Sequence, residues 1–203
     1  MRDRYEVAHL NSFIEMEDLL YFQNYCSNVT EWSDYSEDYY IGHMLCANTK
    51  KKNKVCSRFH GPDLISDKNL LILFQKYSRK IKETVQLEYG INLHSETKYN
   101  YVSCYDVGNG IPLHGDEGWP NFVNTTPNGF SPITHGIIVY ITGDYTGGDL
   151  VIPWYNKRYK TEAGSILIIP SGNGNEHLVE PVESGKRWIW PTFWSSHTDT
   201  VSK

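Results

Sequence analysis

The sequence has no long apolar run. Its apolar runs, such as residues 166–170, span six residues at most, which is far too short to cross a bilayer. Cysteine is also scarce, with four residues and no CxxC pair, and the N-terminal residues lack the apolar core of a signal peptide. We therefore expect no membrane segment and a reducing, cytoplasmic environment.

Basic clusters are rare as well. The longest run of Lys or Arg is Lys50 to Lys52, and the formal net charge is −5. Attraction to a phosphate backbone therefore has little to act on, which makes nucleic acid an unlikely partner without excluding it as a substrate. Aromatic residues, by contrast, make up 14% of the 203 residues, a length that fits one globular domain.

Two segments among the first ninety residues have a helical period. Ser12 and Glu15 form a capping-box pattern ahead of a short helix. A longer helix is predicted over residues 67–89, capped by Ser66 and closed by Gly90. Its apolar face is predicted to contain Leu70, Leu71, Phe74, Ile81, Val85 and Leu87.

The polar segment between these helices, roughly residues 27–66, is predicted to be irregular and exposed. After residue 90 the pattern changes to short apolar or alternating runs bounded by Gly, Pro, Asn and Asp, which is typical of strands. Two helices followed by about eight short strands predict an α+β domain whose β part is a double-sheet jelly roll. Candidate strands include residues 98–107, 135–141, 150–153, 165–169, 177–182 and 187–194.

Three polar residues have the spacing of a metal site. His114 and Asp116 end an extended run, where side chains two residues apart project to the same face. His177 begins a predicted strand 61 residues after Asp116 (177 − 116). Two imidazoles and one carboxylate leave open positions on a metal, as in non-haem iron(II) oxygenases. An HxD pair also arises by chance, and His135, at the start of an apolar strand, is a rival to His177.

From residue 101 to residue 194, the order of motifs resembles the prolyl 4-hydroxylase-like branch of the iron(II)- and 2-oxoglutarate-dependent dioxygenases. The resemblance implies a double-stranded β-helix in a single domain of residues 1–203, with supporting helices over about 1–92 and a jelly-roll core over about 93–195. The motifs are Tyr105-Asp106-Val107-Gly108, His114-Gly115-Asp116, Ile137 to Ile141, Gly147-Gly148-Asp149-Leu150, Gly164 to Pro170, His177 to Val182, and Gly185-Lys186-Arg187-Trp188.

The resemblance also implies roles for individual residues. His114, Asp116 and His177 would bind Fe(II), and Arg187, ten residues after His177 (187 − 177), would bind the C5 carboxylate of 2-oxoglutarate. A planar guanidinium can form two parallel hydrogen bonds with a carboxylate. Tyr105 would help to hold the co-substrate, with a packing role as the alternative. Collagen-type enzymes usually have Lys at the position of Arg187, so the resemblance is to the smaller bacterial and viral members.

The implied reaction hydroxylates a C–H bond while O2 converts 2-oxoglutarate to succinate and CO2, with ascorbate as reductant. The expected substrate is a residue of a peptide or protein, proline first, followed by a free amino acid or small metabolite. Residues 117–132, with Trp119 and Phe122, are expected to border the substrate entrance. Two alternatives stay open: a cupin-type metalloenzyme without 2-oxoglutarate, and a jelly-roll binding module in which Trp119, Trp154 and Trp194 stack on a sugar.

Overall fold

The computed structural model describes residues 1–30, 33–34, 57–60, 66–96, 101–116, 133–172 and 174–196. In these ranges the helices are α1 (Met16–Asn28) and α2 (Lys68–Tyr89), and a short 3-10 helix spans Pro153–Tyr155. The strands are β1 (Ala8–Leu10), β2 (Ser33–Asp34), β3 (Ser57–His60), β4 (Ser95–Glu96), β5 (Val102–Tyr105), β6 (Ile111–His114), β7 (His135–Tyr140), β8 (Thr146–Gly147), β9 (Leu150–Ile152), β10 (Lys157–Tyr159), β11 (Ile166–Pro170), β12 (His177–Val179), β13 (Val182–Ser184) and β14 (Arg187–Ser195).

The strands form two antiparallel sheets and a two-stranded ribbon. The larger sheet has the order β1-β11-β7-β14-β5-β3-β2, with β4 also paired to β14, and the smaller sheet has the order β10-β9-β12-β6. The ribbon is formed by β13 and β8. Strands that are neighbours in space are mostly far apart in the sequence, as in a double-sheet jelly roll. The predicted α+β jelly-roll fold is therefore confirmed.

Alternation along the central strands of the larger sheet separates two cores. In β14, Trp190 and Trp194 pack on the helix side of the sheet, whereas Ile189 packs against residues of the smaller sheet, such as Leu150. Arg187 lies two residues before Ile189 and so faces the same interior between the sheets. Because β14 is buried on both sides, its sequence reads as a nearly continuous apolar run.

The helices cover the outer face of the larger sheet through an aromatic contact. The ring centroid of Phe74 in α2 lies 5.6 Å from that of Phe22 in α1 and 4.7 Å from that of Trp190 in β14. All three side chains are almost completely buried. Large aromatic side chains contribute much of the energy of such a core, so this contact holds the helical layer on the sheet.

The start of α1 differs from the sequence prediction. The helix begins after Glu15, whose side chain forms no capping hydrogen bond. Ser12 has a φ of 53°, whereas a capping residue normally has extended backbone angles. The predicted capping box from Ser12 is therefore wrong.

The cap of α2 is Asp67, one residue after the predicted Ser66. The Asp67 carboxylate accepts hydrogen bonds from two backbone amides of the first turn, at 2.8 and 3.1 Å. A carboxylate is favoured at this end of a helix because it also interacts with the positive end of the dipole. Gly90 closes the helix in the left-handed conformation, as predicted, with a φ of 70°. Leu87 is 80% exposed and does not belong to the buried face.

The strands also differ from the prediction in three respects. β1 lies within the predicted helical support and extends the larger sheet at its edge. The predicted strand 177–182 is divided between β12 and β13, and Pro181, which has no amide hydrogen for a ladder bond, lies at the break. The predicted irregular segment 27–66 contributes β2 and β3; its other residues beyond residue 30 and before residue 66 lie outside the described ranges. No helix in the described part of the chain is long and apolar enough to cross a membrane.

His135 lies on the helix side of β7. Its ring centroid is 6.0 Å from that of Tyr89 in α2, and its Nδ1 lies 2.9 Å from Oγ1 of Thr134. The side chain is 2% exposed, and its Nε2 has no hydrogen-bond partner among the described residues. Burial lowers the pKa of His135 to about 4.

This pKa makes the stability of the fold dependent on pH. The unfolded chain binds a proton at this imidazole with a pKa of 6.5 and the folded chain only near 4, so a penalty appears below pH 6.5 and grows until the pH reaches about 4. At pH ~5 it should amount to roughly 2 kcal/mol. Urea denaturation near pH 7.5 and near pH 5, with a chelator present, measures it. The free energy of unfolding should differ less between pH 7.5 and pH 5 in His135→Phe than in the unsubstituted protein, by this amount. An equal difference in both proteins would contradict the assignment.

Candidate metal and co-substrate site

Two histidines meet on neighbouring strands of the smaller sheet. β12 pairs with β6 so that His177 lies opposite His114, and the two ring centroids are 4.4 Å apart. Asp116 follows β6, and its Oδ1 lies 3.9 Å from Nε2 of His114. The three residues each offer one ligand atom, and these atoms all lie within 4.8 Å of one another. One cation can therefore contact all three.

Backbone carbonyl groups orient both imidazoles. Nδ1 of His114 donates a hydrogen bond to the Pro112 carbonyl at 2.9 Å, and Nδ1 of His177 donates to the Asn175 carbonyl at 3.0 Å. These bonds favour the tautomer in which the lone pair is on Nε2, where a metal can accept it. Burial and the neighbouring His177 lower the pKa of His114, which favours the neutral form that binds metal.

A glycine makes room for the carboxylate. Asp116 is 6% exposed and lies against Gly136 of β7, on the side of the strand opposite to His135. A Cβ atom at position 136 would overlap Oδ2 of Asp116 and lie 3.0 Å from its Cγ. Sequence reasoning missed this residue, although a glycine inside an apolar strand often marks a close approach. The same alternation directs His135 towards the helices, so His135 does not join the cluster.

Gly136→Ala should therefore disturb the metal site without changing the fold. Because the added methyl group displaces the Asp116 carboxylate, we expect Fe(II) affinity to fall by about 10- to 100-fold. Gly115→Ala is the matched control, since among the described residues a Cβ atom there would meet only Cγ of Glu176, at an ordinary 3.5 Å. Anaerobic Fe(II) titration measures both variants. Equal affinities in the two would show that Gly136 has no such role.

The Arg187 guanidinium lies in the interior between the sheets. It is completely buried, and its carbon atom is 4.8 Å from the ring centroid of Tyr105 and 5.1 Å from that of Tyr140. Nη2 donates a hydrogen bond to the Tyr140 hydroxyl at 3.3 Å. Nε and Nη1 are buried and have no hydrogen-bond partner among the described residues. A buried guanidinium without an acidic partner is costly, so the arrangement fits an anionic ligand.

Hydroxyl groups surround this guanidinium. Tyr105 lies opposite Arg187 in the pairing of β5 with β14, and Tyr140 approaches it from β7. Burial raises the pKa of Tyr140, so its hydroxyl stays protonated. Tyr145 and Thr161, whose side-chain oxygens are 3.1 Å apart, add two further hydroxyl groups near Tyr140. Sequence reasoning found Tyr105 but missed the other three, because only the tertiary structure brings them together.

Other residues singled out in the sequence lie elsewhere. Trp119 and Phe122, with the rest of the segment 117–132, are outside the described residues. Trp154 is 78% exposed, whereas Trp194 is 2% exposed and packs on the helix side of the larger sheet. Trp194 therefore cannot contribute to a sugar-binding surface, and the three-tryptophan platform considered for a binding module is wrong in this respect.

Comparison with known proteins reveals similarity in structure rather than in sequence. No family model and no curated protein matches the sequence. The structure is similar to that of a viral collagen prolyl hydroxylase from Paramecium Bursaria Chlorella virus-1 in complex with 2-oxoglutarate, with a TM-score of 0.61 and 15% identity over 95% of this chain and 96% of that chain.

Two further solved structures are also similar to this chain. A Pseudomonas putida prolyl-4-hydroxylase matches with a TM-score of 0.66 and 11% identity, over 94% of this chain and 93% of that chain. A Trichoplax adhaerens prolyl hydroxylase, in complex with a peptide fragment of the hypoxia inducible factor oxygen degradation domain, matches with a TM-score of 0.64 and 19% identity, over 98% and 88%. The chain thus has the fold of the prolyl hydroxylases and 2OG-Fe(II) oxygenases, and its His-Asp-His cluster and buried arginine lie within that fold.

Proposed function

We propose that this protein is an Fe(II)- and 2-oxoglutarate-dependent hydroxylase. The observation that carries the proposal is the buried guanidinium of Arg187. Two of its nitrogens have no hydrogen-bond partner among the described residues, and it faces the interior of the same sandwich that holds His114, Asp116 and His177. A metal site with open positions and a separate site for one carboxylate are the two features that a chelating keto diacid requires.

The residues of the site fit these two ligands. His114, Asp116 and His177 would hold Fe(II), and the bound iron with 2-oxoglutarate and O2 would supply the oxidation that yields succinate, CO2 and a hydroxylated C–H bond. Arg187 would bind the C5 carboxylate through its guanidinium, two of whose nitrogens, Nε and Nη1, have no partner among the described residues. The rings of Tyr105 and Tyr140 exclude water from the guanidinium, which strengthens a charge-assisted bond.

The alternatives explain less of the site. A cupin-type metalloenzyme would use the three metal ligands but would leave the buried Arg187 without an anion. A binding module would have no use for either group. Fe(II) and 2-oxoglutarate together account for both with the residues that the structure describes.

The proposed substrate is an amino acid residue of a peptide or protein, with proline first. This part is supported by the names of the similar solved structures, one of which contains a peptide fragment. A free amino acid or small metabolite is the second candidate. Ascorbate as reductant and a cytoplasmic location complete the proposal, on the sequence arguments given above.

Anaerobic spectroscopy tests the proposal. Addition of Fe(II) and 2-oxoglutarate should produce the weak visible absorption of a chelated keto acid, and succinate should form slowly in air. The matched ligand 2-oxobutyrate has the keto acid group but no C5 carboxylate, so it should bind more weakly by about 100-fold. Iron binding without a response to 2-oxoglutarate would indicate the cupin-type alternative, and absence of iron binding would indicate a binding module.

A further inference from the structure

A groove of about 760 Å³ lies at the end of the sandwich where β12 begins, and the two residues before His177 belong to its lining. Its walls are the N-terminal residues that precede β1, the 3-10 helix after β9, β10, and residues 174–176. β9 pairs with β12 so that the residues after Ile152 approach those before His177. The groove therefore adjoins the same end of the sheet as the metal cluster.

Aromatic side chains line this groove. Trp154 and Tyr155 are 78% and 45% exposed, and Tyr5 and Tyr159 extend the aromatic lining. The Trp154 ring rests on Gly174, where a Cβ atom would lie 2.7 Å from Cδ1 of the indole. A glycine at position 174 is thus required for Trp154 to lie against the loop. The rest of the exposed indole surface is available to a ligand.

The groove carries more negative than positive charge. Among the described residues that line it, Asp3, Glu6 and Glu176 are acidic and Lys157 is basic. Glu6 pairs with Arg2 at 3.2 Å, whereas Asp3 and Glu176 form no ion pair with the described residues. Aromatic rings and free carboxylates together bind cationic side chains.

A contact between a cationic side chain and an aromatic ring already exists within the chain. The guanidinium of Arg4 lies 4.6 Å from the centroid of the Tyr5 ring, at the edge of the groove. The net charge of −5 adds a general attraction for a basic partner.

Asn175 and Glu176 connect the groove to the metal cluster. Nδ2 of Asn175 donates hydrogen bonds to the carbonyl groups of Tyr5 and Pro170, both at 2.8 Å, and the Asn175 carbonyl accepts the bond that orients His177. The Glu176 side chain lies beside Gly115, the residue between the other two members of the cluster. A chain bound in the groove thus reaches the residues that surround the metal site.

We propose that this groove binds a lysine- or arginine-bearing segment of the polypeptide substrate, next to the residue that is hydroxylated. Its role in substrate binding rests on the proposed function. The cationic side chain would lie against Trp154 or Tyr155 and pair with Asp3 or Glu176. The groove would then select substrates by basic residues that flank the reactive one.

Fluorescence anisotropy with two synthetic peptides tests the proposal. One labelled peptide repeats Lys-Pro-Ala, the other repeats Glu-Pro-Ala, and both are titrated anaerobically with the protein in the presence of Fe(II) and 2-oxoglutarate. We expect the lysine peptide to bind about tenfold more tightly, because it gains both the ring contacts and the carboxylates. Its affinity should fall with added salt.

Variants identify the surface that binds. Trp154→Ala and Glu176→Gln should each weaken binding of the lysine peptide by about five- to tenfold. Glu83→Gln removes the same charge from the exposed face of α2 and should leave the affinity unchanged. The keto acid absorption of Trp154→Ala should match that of the unsubstituted protein, which shows that the variant is folded.

The possible results separate the two proposals. Equal affinity for both peptides, or equal effects of Glu176→Gln and Glu83→Gln, would overturn the groove assignment. Binding of a neutral oligosaccharide that depends on Trp154, without binding of the lysine peptide, would also overturn it and indicate a sugar. The lysine peptide could also bind tightly, in a manner that depends on Trp154, to a protein that shows no keto acid absorption. That result would support the groove as a site for basic peptides and reject the proposed hydroxylase activity.

Discussion

Replacing Arg187 with Met should weaken 2-oxoglutarate binding by at least about 100-fold while Fe(II) affinity stays nearly the same. The guanidinium is completely buried and lies outside the His-Asp-His cluster, so its loss removes the proposed partner of the C5 carboxylate and no residue of that cluster. Methionine fills a similar volume without a charge. Titration of the visible absorption with 2-oxoglutarate, at saturating Fe(II), measures the change.

The stability of Arg187→Met should also depend less on 2-oxoglutarate than that of the unsubstituted protein. Without ligand, Arg187→Met removes a buried charge that has no acidic partner among the described residues, so its free energy of unfolding should equal or exceed that of the unsubstituted protein. 2-Oxoglutarate at 100 times its dissociation constant should stabilise the unsubstituted protein by about 2.7 kcal/mol and the variant hardly at all.

Two controls make this prediction specific. Arg187→Lys keeps the charge but not the planar pair of donors, so its affinity for 2-oxoglutarate should be intermediate. The affinity for 2-oxobutyrate, which has no C5 carboxylate, should be the same with and without Arg187. Normal binding of 2-oxoglutarate by Arg187→Met would show that the co-substrate pocket is elsewhere.

Asp116→Ala should abolish iron retention. The substitution removes the one carboxylate of the cluster and leaves His114 and His177, two neutral ligands, so we expect Fe(II) affinity to fall by more than about 100-fold. Iron content after anaerobic gel filtration, followed by a chelator titration, measures the loss. 2-Oxoglutarate should then give no visible absorption, because that band requires the metal.

Asp144→Ala is the matched control for this variant. Asp144 is exposed and lies outside the cluster, so its substitution should leave iron content unchanged. The iron content of Gly136→Ala should lie between those of Asp116→Ala and Asp144→Ala, because the substitution displaces the Asp116 carboxylate without removing it. Unchanged iron content in Asp116→Ala would reject the proposed ligand set.

Local patterns in the sequence predicted much of the fold and pointed to the residues that the structure brings together. The two-residue period put His114 and Asp116 on one side of an extended chain. The apolar runs after residue 90 predicted strands close to β7, β9, β11 and β14. The long helix with its closing Gly90 was also predicted correctly. These features follow from interactions between residues that are close in the sequence, so they do not require contacts between distant segments.

Other features depended on contacts that the sequence does not contain. Ser66 and Asp67 are both capable of capping α2, and the structure uses Asp67, whose second oxygen also accepts a hydrogen bond from Tyr21 of α1. The short β1 became a strand because it lies along β11. Similarly, Gly136 gained its importance only when Asp116 was brought against it.

The sequence by itself determined which residues could serve as metal ligands and which face of each strand they occupy, because side-chain direction in an extended chain follows from local geometry. Only the tertiary structure decided that His177 lies opposite His114, that Tyr140 reaches Arg187, and that an acidic aromatic groove includes the two residues before His177. The physical reason is that strand register joins segments separated by dozens of residues, and the packing of both sheets and the helices selects that register.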